Sequence, residues 1–144
     1  MTSPDAGRPP LRPEVTVLYI DDNSANLRLV GRIFEREGDH VVVIPAMLGE
    51  LGLRLARDRP DLILLDLNLP DMRGEDVLAR LRGEPLTRDI PVVVLSADVS
   101  PGVAERLTGL GAQAFVSKPI AIADFLVVVA RFLPRRPPVG TAEA

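Results

Sequence analysis

Two aspartates, Asp21 and Asp22, stand side by side at the end of the apolar run VTVLYI. Comparable runs end in Asp66 (DLILLD), Ser96 (PVVVLS) and Lys118 (AFVSK). If these runs are strands of one parallel sheet, the residues that follow them open on a common edge and become neighbours despite their separation in sequence. Three carboxylates gathered there repel one another, which is costly unless a cation neutralises them or a proton is retained. The set therefore predicts a bound divalent cation. Carboxylates, a backbone carbonyl and water are hard oxygen donors, and so small a set with room for water favours Mg²⁺, with Mn²⁺ as the alternative, over a dedicated Ca²⁺ cage. A metal beside a carboxylate, a hydroxyl and an ammonium outlines a phosphoryl site. In it Asp66 is the nucleophile, Lys118 screens phosphoryl oxygens and Ser96 donates a hydrogen bond.

Each of these residues also has a plainer reading. Asp21 and Asp22 could be acidic residues favoured at a helix N-terminus by its dipole. Asp66 could cap a strand-to-helix junction, and Ser96 could bond its own backbone in a turn. Lys118 is the exception: it is the only lysine among 17 basic residues, the rest being arginine. This suggests a position that wants a compact ammonium on a flexible stem rather than a planar fork. His40, the single histidine, opens a strand away from the convergent edge and reads as a surface residue.

The elements that would position these groups follow from periodicity. Short β-branched runs at 15–20, 40–44, 61–66, 91–96 and 114–118 read as buried strands. Between them, apolar residues recur at helical spacing from Ser24, taken as an N-cap, to Gly38, and again over 47–58, 75–82, 101–110 and 121–133. Such alternation implies an α/β doubly wound (βα)5 fold, a parallel sheet covered by helices on both faces. In the last helix Ile122, Leu126, Val129 and Leu133, with Phe125 and Phe132, should form the core face. Val127 and Val128 flank the polar strip of Asp124 and Arg131 and should leave surplus apolar surface.

Composition narrows the classes. A chain of 144 residues that is 47% apolar and 26% charged suits one globular domain, read as 14–133, with Pro- and Arg-rich ends at 1–13 and 134–144 expected to be flexible tails or linkers. The absence of cysteine excludes disulfides and thiolate metal sites, and one histidine excludes a His-based zinc site. No signal peptide or membrane-length apolar run occurs, so a cytoplasmic protein without a membrane role is expected. A net charge of −3 gives no nucleic-acid footprint, and no glycine-rich nucleotide motif follows any strand.

The Asp21-Asp22 pair, Asp66 with L-N-L-P-D-M-R-G behind it, L-S-A at 95–97 and S-K-P at 117–119 together resemble the receiver domain of two-component response regulators, over residues 14–133. The resemblance implies a flavodoxin-like five-stranded sheet in the order 2-1-3-4-5. It implies that Asp66 accepts a phosphoryl group from a histidine kinase or histidine phosphotransfer protein. Asp21, Asp22, Asp66 and the Asn68 carbonyl would hold Mg²⁺, and Ser96 and Lys118 would bind the phosphoryl group. Because adjacent side chains leave the backbone in different directions, Asp22 is expected to touch the metal directly and Asp21 through water.

Ser96 and Phe115 would couple the site to the distal face, where a downstream protein partner binds, and Asn68 and Asp98 would tune phosphoryl lifetime. Helix four, strand five and helix five offer a surface for a homodimer, and Lys118-Pro119 is expected to be cis. Only self-phosphorylation and self-dephosphorylation are expected, not turnover of an external substrate. An aspartyl phosphatase is disfavoured, since Asn68 stands where that class wants an acid and no cap insertion exists. Two other readings are a pseudo-receiver that binds partners without phosphorylation and a receiver excised from a hybrid histidine kinase. Too little sequence follows the last helix for an output domain, so output is expected through protein contact or a neighbouring domain.

Overall fold

The computed structural model describes residues 14–37 and 40–134. The chain alternates strand and helix throughout: β1 (Val15–Ile20), α1 (Ser24–Glu37), β2 (Val41–Ala46), α2 (Gly49–Ala56), β3 (Leu62–Asp66), α3 (Gly74–Gly83), β4 (Val92–Ser96), α4 (Pro101–Gly109), β5 (Ala114–Ser117) and α5 (Ile122–Ala130). The five strands form one parallel sheet in the order β2-β1-β3-β4-β5. This is the doubly wound, flavodoxin-like order expected from the sequence. Consecutive strand residues point to opposite faces, so the Val/Leu/Ile runs feed two separate cores. Leu18, Ile20, Ile63, Leu65, Val92 and Val94 pack toward α2, α3 and α4. Val17, Tyr19, Leu62, Leu64, Val93 and Leu95 pack toward α1 and α5, where Phe34 and Phe125 meet edge to face with ring centroids 5.7 Å apart.

Helix α2 lies very close to the sheet, because a Cβ at Gly52 would lie 2.5 Å from Ile20 Cδ1. Register fixes the edge that carries the chemistry: Ile20 pairs with both Ala46 and Leu65, Asp66 with Leu95, and Ser96 with Ser117. Asp21, Asp66 and Lys118 thus reach the carboxyl end of the sheet in three strand columns.

Four details differ from the sequence reading. The N-cap of α1 is Asn23, whose Oδ1 accepts from the Asn26 amide at 3.0 Å, and Ser24 is the first helical residue; an amide oxygen serves this bond as well as a hydroxyl does. Helix α5 ends at Ala130, and Leu133 lies in the turn beyond it. Ile122 is 52% exposed rather than core: it is the first residue of the helix, and Phe125 and Val129 carry the buried face. Val127, 63% exposed, lies on the surface as expected, whereas Val128 is half-buried. Except for Pro134, the two expected tails lie outside the described residues. Among the described residues, no helix is long and apolar enough to cross a membrane.

Candidate functional site

Asp21, Asp22 and Asp66 converge at the carboxyl edge, each offering an oxygen within 4.8 Å of the others. Asp21 and Asp66 are buried and Asp22 is exposed. Lys118 Nζ bridges the two buried carboxylates, 2.7 Å from Asp66 Oδ1 and 3.3 Å from Asp21 Oδ2. One ammonium against three carboxylates leaves the cluster short of positive charge. Burial pushes the Asp66 carboxyl above its usual range and the charge of Asp21 pushes the same way, while Lys118 and the Asn68 amide oppose them. Burial alone would lower the Lys118 pKa, but its bond to Asp66 and the charge of Asp21 outweigh it, so Lys118 titrates above a free lysine and stays charged. A dense, undercompensated set of carboxylate oxygens fits a hard divalent cation.

The two neighbouring aspartates differ as their alternating directions require. Asp21 is held from all sides: Oδ1 accepts from the Asn23 amide at 2.9 Å, and Oδ2 from the Tyr19 hydroxyl at 2.7 Å, the Asn26 side chain at 3.4 Å and Lys118. Asp22 faces solvent.

The segment behind Asp66 is a closed loop. Asn68 and Arg73 form an antiparallel bridge and the Gly74 amide donates to the Leu67 carbonyl at 2.9 Å. A Cβ at position 74 would lie 2.5 Å from Leu67 Cα, so the closure demands glycine. From this loop Asp71 reaches across to α2, accepting from the Gly49 amide at 2.7 Å and the Glu50 amide at 3.0 Å. The α2 N-cap, Leu48, has no capping side chain, so a residue 22 positions away satisfies the orphan donors. These bonds hold the Asp71 carboxyl below its usual range.

The remaining predicted positions are less concentrated. Ser96 reaches the edge, but its hydroxyl exchanges 3.1 Å bonds with the backbone of Asp98. This is the local turn that the plainer reading of Ser96 allowed. Asp98 is exposed and turns its carboxylate to the Ser100 amide at 3.0 Å, ahead of α4. Phe115 is half-buried and packs against the core facing α2, α3 and α4. The Lys118-Pro119 peptide is cis, and His40 lies just before β2. Two participants were missed in the sequence. Tyr19 reads there as one more apolar strand residue, although its two-residue offset from Asp21 places both on one face. Asp71 reads as a turn residue, and no local pattern marks its bonds to α2.

Comparison with known proteins extends the picture. A family model described as "Response regulator receiver domain" matches residues 17–130. The chain is 34% identical over 119 residues to the polar-differentiation response regulator DivK of Brucella anthropi, covering 82% of this chain and 95% of that protein. The receiver domain of the sensor histidine kinase PA1611 of Pseudomonas aeruginosa PAO1, solved with magnesium in its active site cleft, superposes with a TM-score of 0.73 at 24% identity. That match covers 83% of this chain and 97% of the other. The Mn²⁺-bound response regulator Rcp1 is similar with a TM-score of 0.68 at 28% identity, over 79% of this chain and 88% of that one.

Proposed function

The chain belongs to the response regulator receiver family, and from that premise we propose that it is a phosphorylation switch in which Asp66 accepts the phosphoryl group of a phosphohistidine. The observation that carries this is the convergence of Asp21, Asp22, Asp66 and Lys118 from three strand ends. Asp66 is the nucleophile: a carboxylate oxygen attacks phosphorus, the phosphorus–nitrogen bond breaks, and the imidazole nitrogen leaves with the bond pair. Lys118, 2.7 Å from Asp66 Oδ1, is free to follow the charge onto a phosphoryl oxygen as the carboxylate becomes an acyl phosphate. Asp22, Asp66 and the Asn68 carbonyl would hold a divalent cation, with Asp21 acting through water, and the cation would supply the remaining positive charge; small carboxylate number and open solvent favour Mg²⁺.

Ser96 is the second hydrogen-bond donor to the phosphoryl group, and using it requires its hydroxyl to leave the Asp98 backbone. That movement offers a route to the distal face, since β4, α4 and the half-buried Phe115 adjoin it. Phe115 has no hydroxyl, so it acts by packing alone. Asn68 and Asp98, each two residues beyond a strand-end site residue (Asp66 and Ser96), tune phosphoryl lifetime. Coupling between such sites is typically about 1–3 kcal/mol, enough to change partner affinity without changing fold. The chain turns over no external substrate. Its partners are a histidine kinase or phosphotransfer protein upstream and a protein downstream, and it acts in the cytoplasm.

Acetyl phosphate with Mg²⁺ is expected to add one phosphoryl group to the wild type, read by intact mass, and none to Asp66→Asn or to wild type in EDTA. Label on Asp66→Asn would move the acceptor elsewhere. An unlabelled wild type would favour the pseudo-receiver.

A further inference from the structure

Tyr19 is the only tyrosine of the chain, and tryptophan is absent. It is fully buried in a cluster with the apolar residues Val17, Val30, Phe34, Leu64, Leu95 and Phe125. Burying a hydroxyl among such neighbours costs free energy unless it finds a partner. Among the described residues its one side-chain partner is Asp21 Oδ2 at 2.7 Å, a buried bond. Phenylalanine would fill the same space without that cost, so the hydroxyl is explained by what it does to Asp21 rather than by packing.

Oxygen Oδ2 of Asp21 takes three donors, Tyr19, Lys118 and Asn26, which more than saturates its lone pairs, whereas Oδ1 takes only the Asn23 amide. Tyr19 makes the shortest of these bonds. It is neutral, so it fixes Asp21 without adding a charge that would compete with a cation. Lys118 shares Oδ2 with it at the longer distance of 3.3 Å and lies nearer to Asp66, at 2.7 Å.

We propose that Tyr19 is a positioning residue of the cation site: its buried hydroxyl orients Asp21 so that Oδ1 presents its remaining lone pair to metal-bound water, and it keeps Lys118 on Asp66. The proposal rests on the reading of the acidic cluster as a divalent-metal site. Outer partners of this kind commonly govern metal affinity through the ligands they orient.

Tyr19→Phe is the test, with Mn²⁺ alone titrated into each protein and free Mn²⁺ followed by electron paramagnetic resonance. Expected is about tenfold weaker binding in Tyr19→Phe, the lower end of the range for outer-shell partners, with cooperative urea unfolding retained. In the wild type, the near-ultraviolet absorbance of the single tyrosine should shift on addition of Mg²⁺ and saturate with the metal-binding curve. A purely structural hydroxyl would change the unfolding midpoint and leave metal affinity and tyrosine absorbance alone; that result overturns the proposal. Wild type that binds no Mn²⁺ would instead remove the metal reading, and this inference with it.

Discussion

The two ends of the sheet solve opposite electrostatic problems. At the carboxyl edge three carboxylates share one ammonium. At the amino edge a single guanidinium, Arg82 at the end of α3, donates to five acceptors: the carbonyls of Thr87, Arg88, Ile90 and Gly111, and Gln113 Oε1. Gln113 Oε1 in turn accepts from the Val92 amide at 2.8 Å, tying the start of β4 to the start of β5. Among the described residues no carboxylate pairs with Arg82, and burial pulls its pKa down, only partly offset by Asp89. The fixed dipoles of loop carbonyls satisfy it instead. One end is complete within the chain; the other is left short of positive charge. The contrast separates charge used for architecture from charge kept available for chemistry.

The comparison breaks first at Arg82. Arg82→Ala strands several carbonyls of the α3–β4 and α4–β5 loops, and the loss of charged hydrogen bonds should cost about 3 kcal/mol in urea unfolding. A change within experimental error would mean that these loops are held by something else.

At the other end the sign reverses. Asp66→Asn removes one like charge from a cluster of three and should stabilise the metal-free protein at neutral pH, by about 1 kcal/mol on the scale of charges a few ångströms apart at a wet edge. Because the carboxyl of Asp66 titrates above its ordinary 3.8 in the fold, its favourable contribution is fully present in acid and is lost as pH rises through that raised value. The stability difference between Asp66→Asn and wild type should therefore be small near pH 4 and grow toward neutrality. A difference that shrinks with rising pH would show that Lys118 overcompensates the cluster.

The smallest effect is expected at Asp71, in the loop behind Asp66 at the carboxyl edge. Asp71→Ala should speed hydrogen exchange of the Gly49 and Glu50 amides while leaving the β3 and β4 amides protected. Because bonding holds the Asp71 carboxyl below its usual range, the same amides in wild type should lose protection as pH falls through that lowered value. Unchanged exchange would mean that solvent caps α2.

Much of this molecule is legible in its sequence. Its strands are short, β-branched and bounded by Pro, Gly or Asp, and each helix carries an apolar repeat, so local physics and global topology agree. The convergence of Asp21, Asp22, Asp66 and Lys118 followed from strand-end logic alone. Arg82, Tyr19 and Asp71 could not be seen that way. Arg82 looks like one more solvated arginine on α3, and its acceptors lie 5 to 31 residues further along the chain. Asp71 bonds backward over 22 residues. Ile122 fits the helical repeat but sits on the first turn, where periodicity says nothing about coverage. Rotamer choice is also invisible in sequence, and so the Ser96 hydroxyl, placed correctly along the chain, was found bonded to its own turn.

The isolation of Lys118 has a consequence for the reagents this protein meets. With every other lysine or arginine side chain an arginine, acylating and reductively alkylating agents find a single side-chain amine, and it lies 2.7 Å from Asp66 Oδ1. Apart from the α-amino group, amine labelling of the folded chain is therefore a footprint of the site itself, with no surface lysines to dilute the signal. A modification that would only decorate most proteins would here remove the one ammonium that the acidic cluster has.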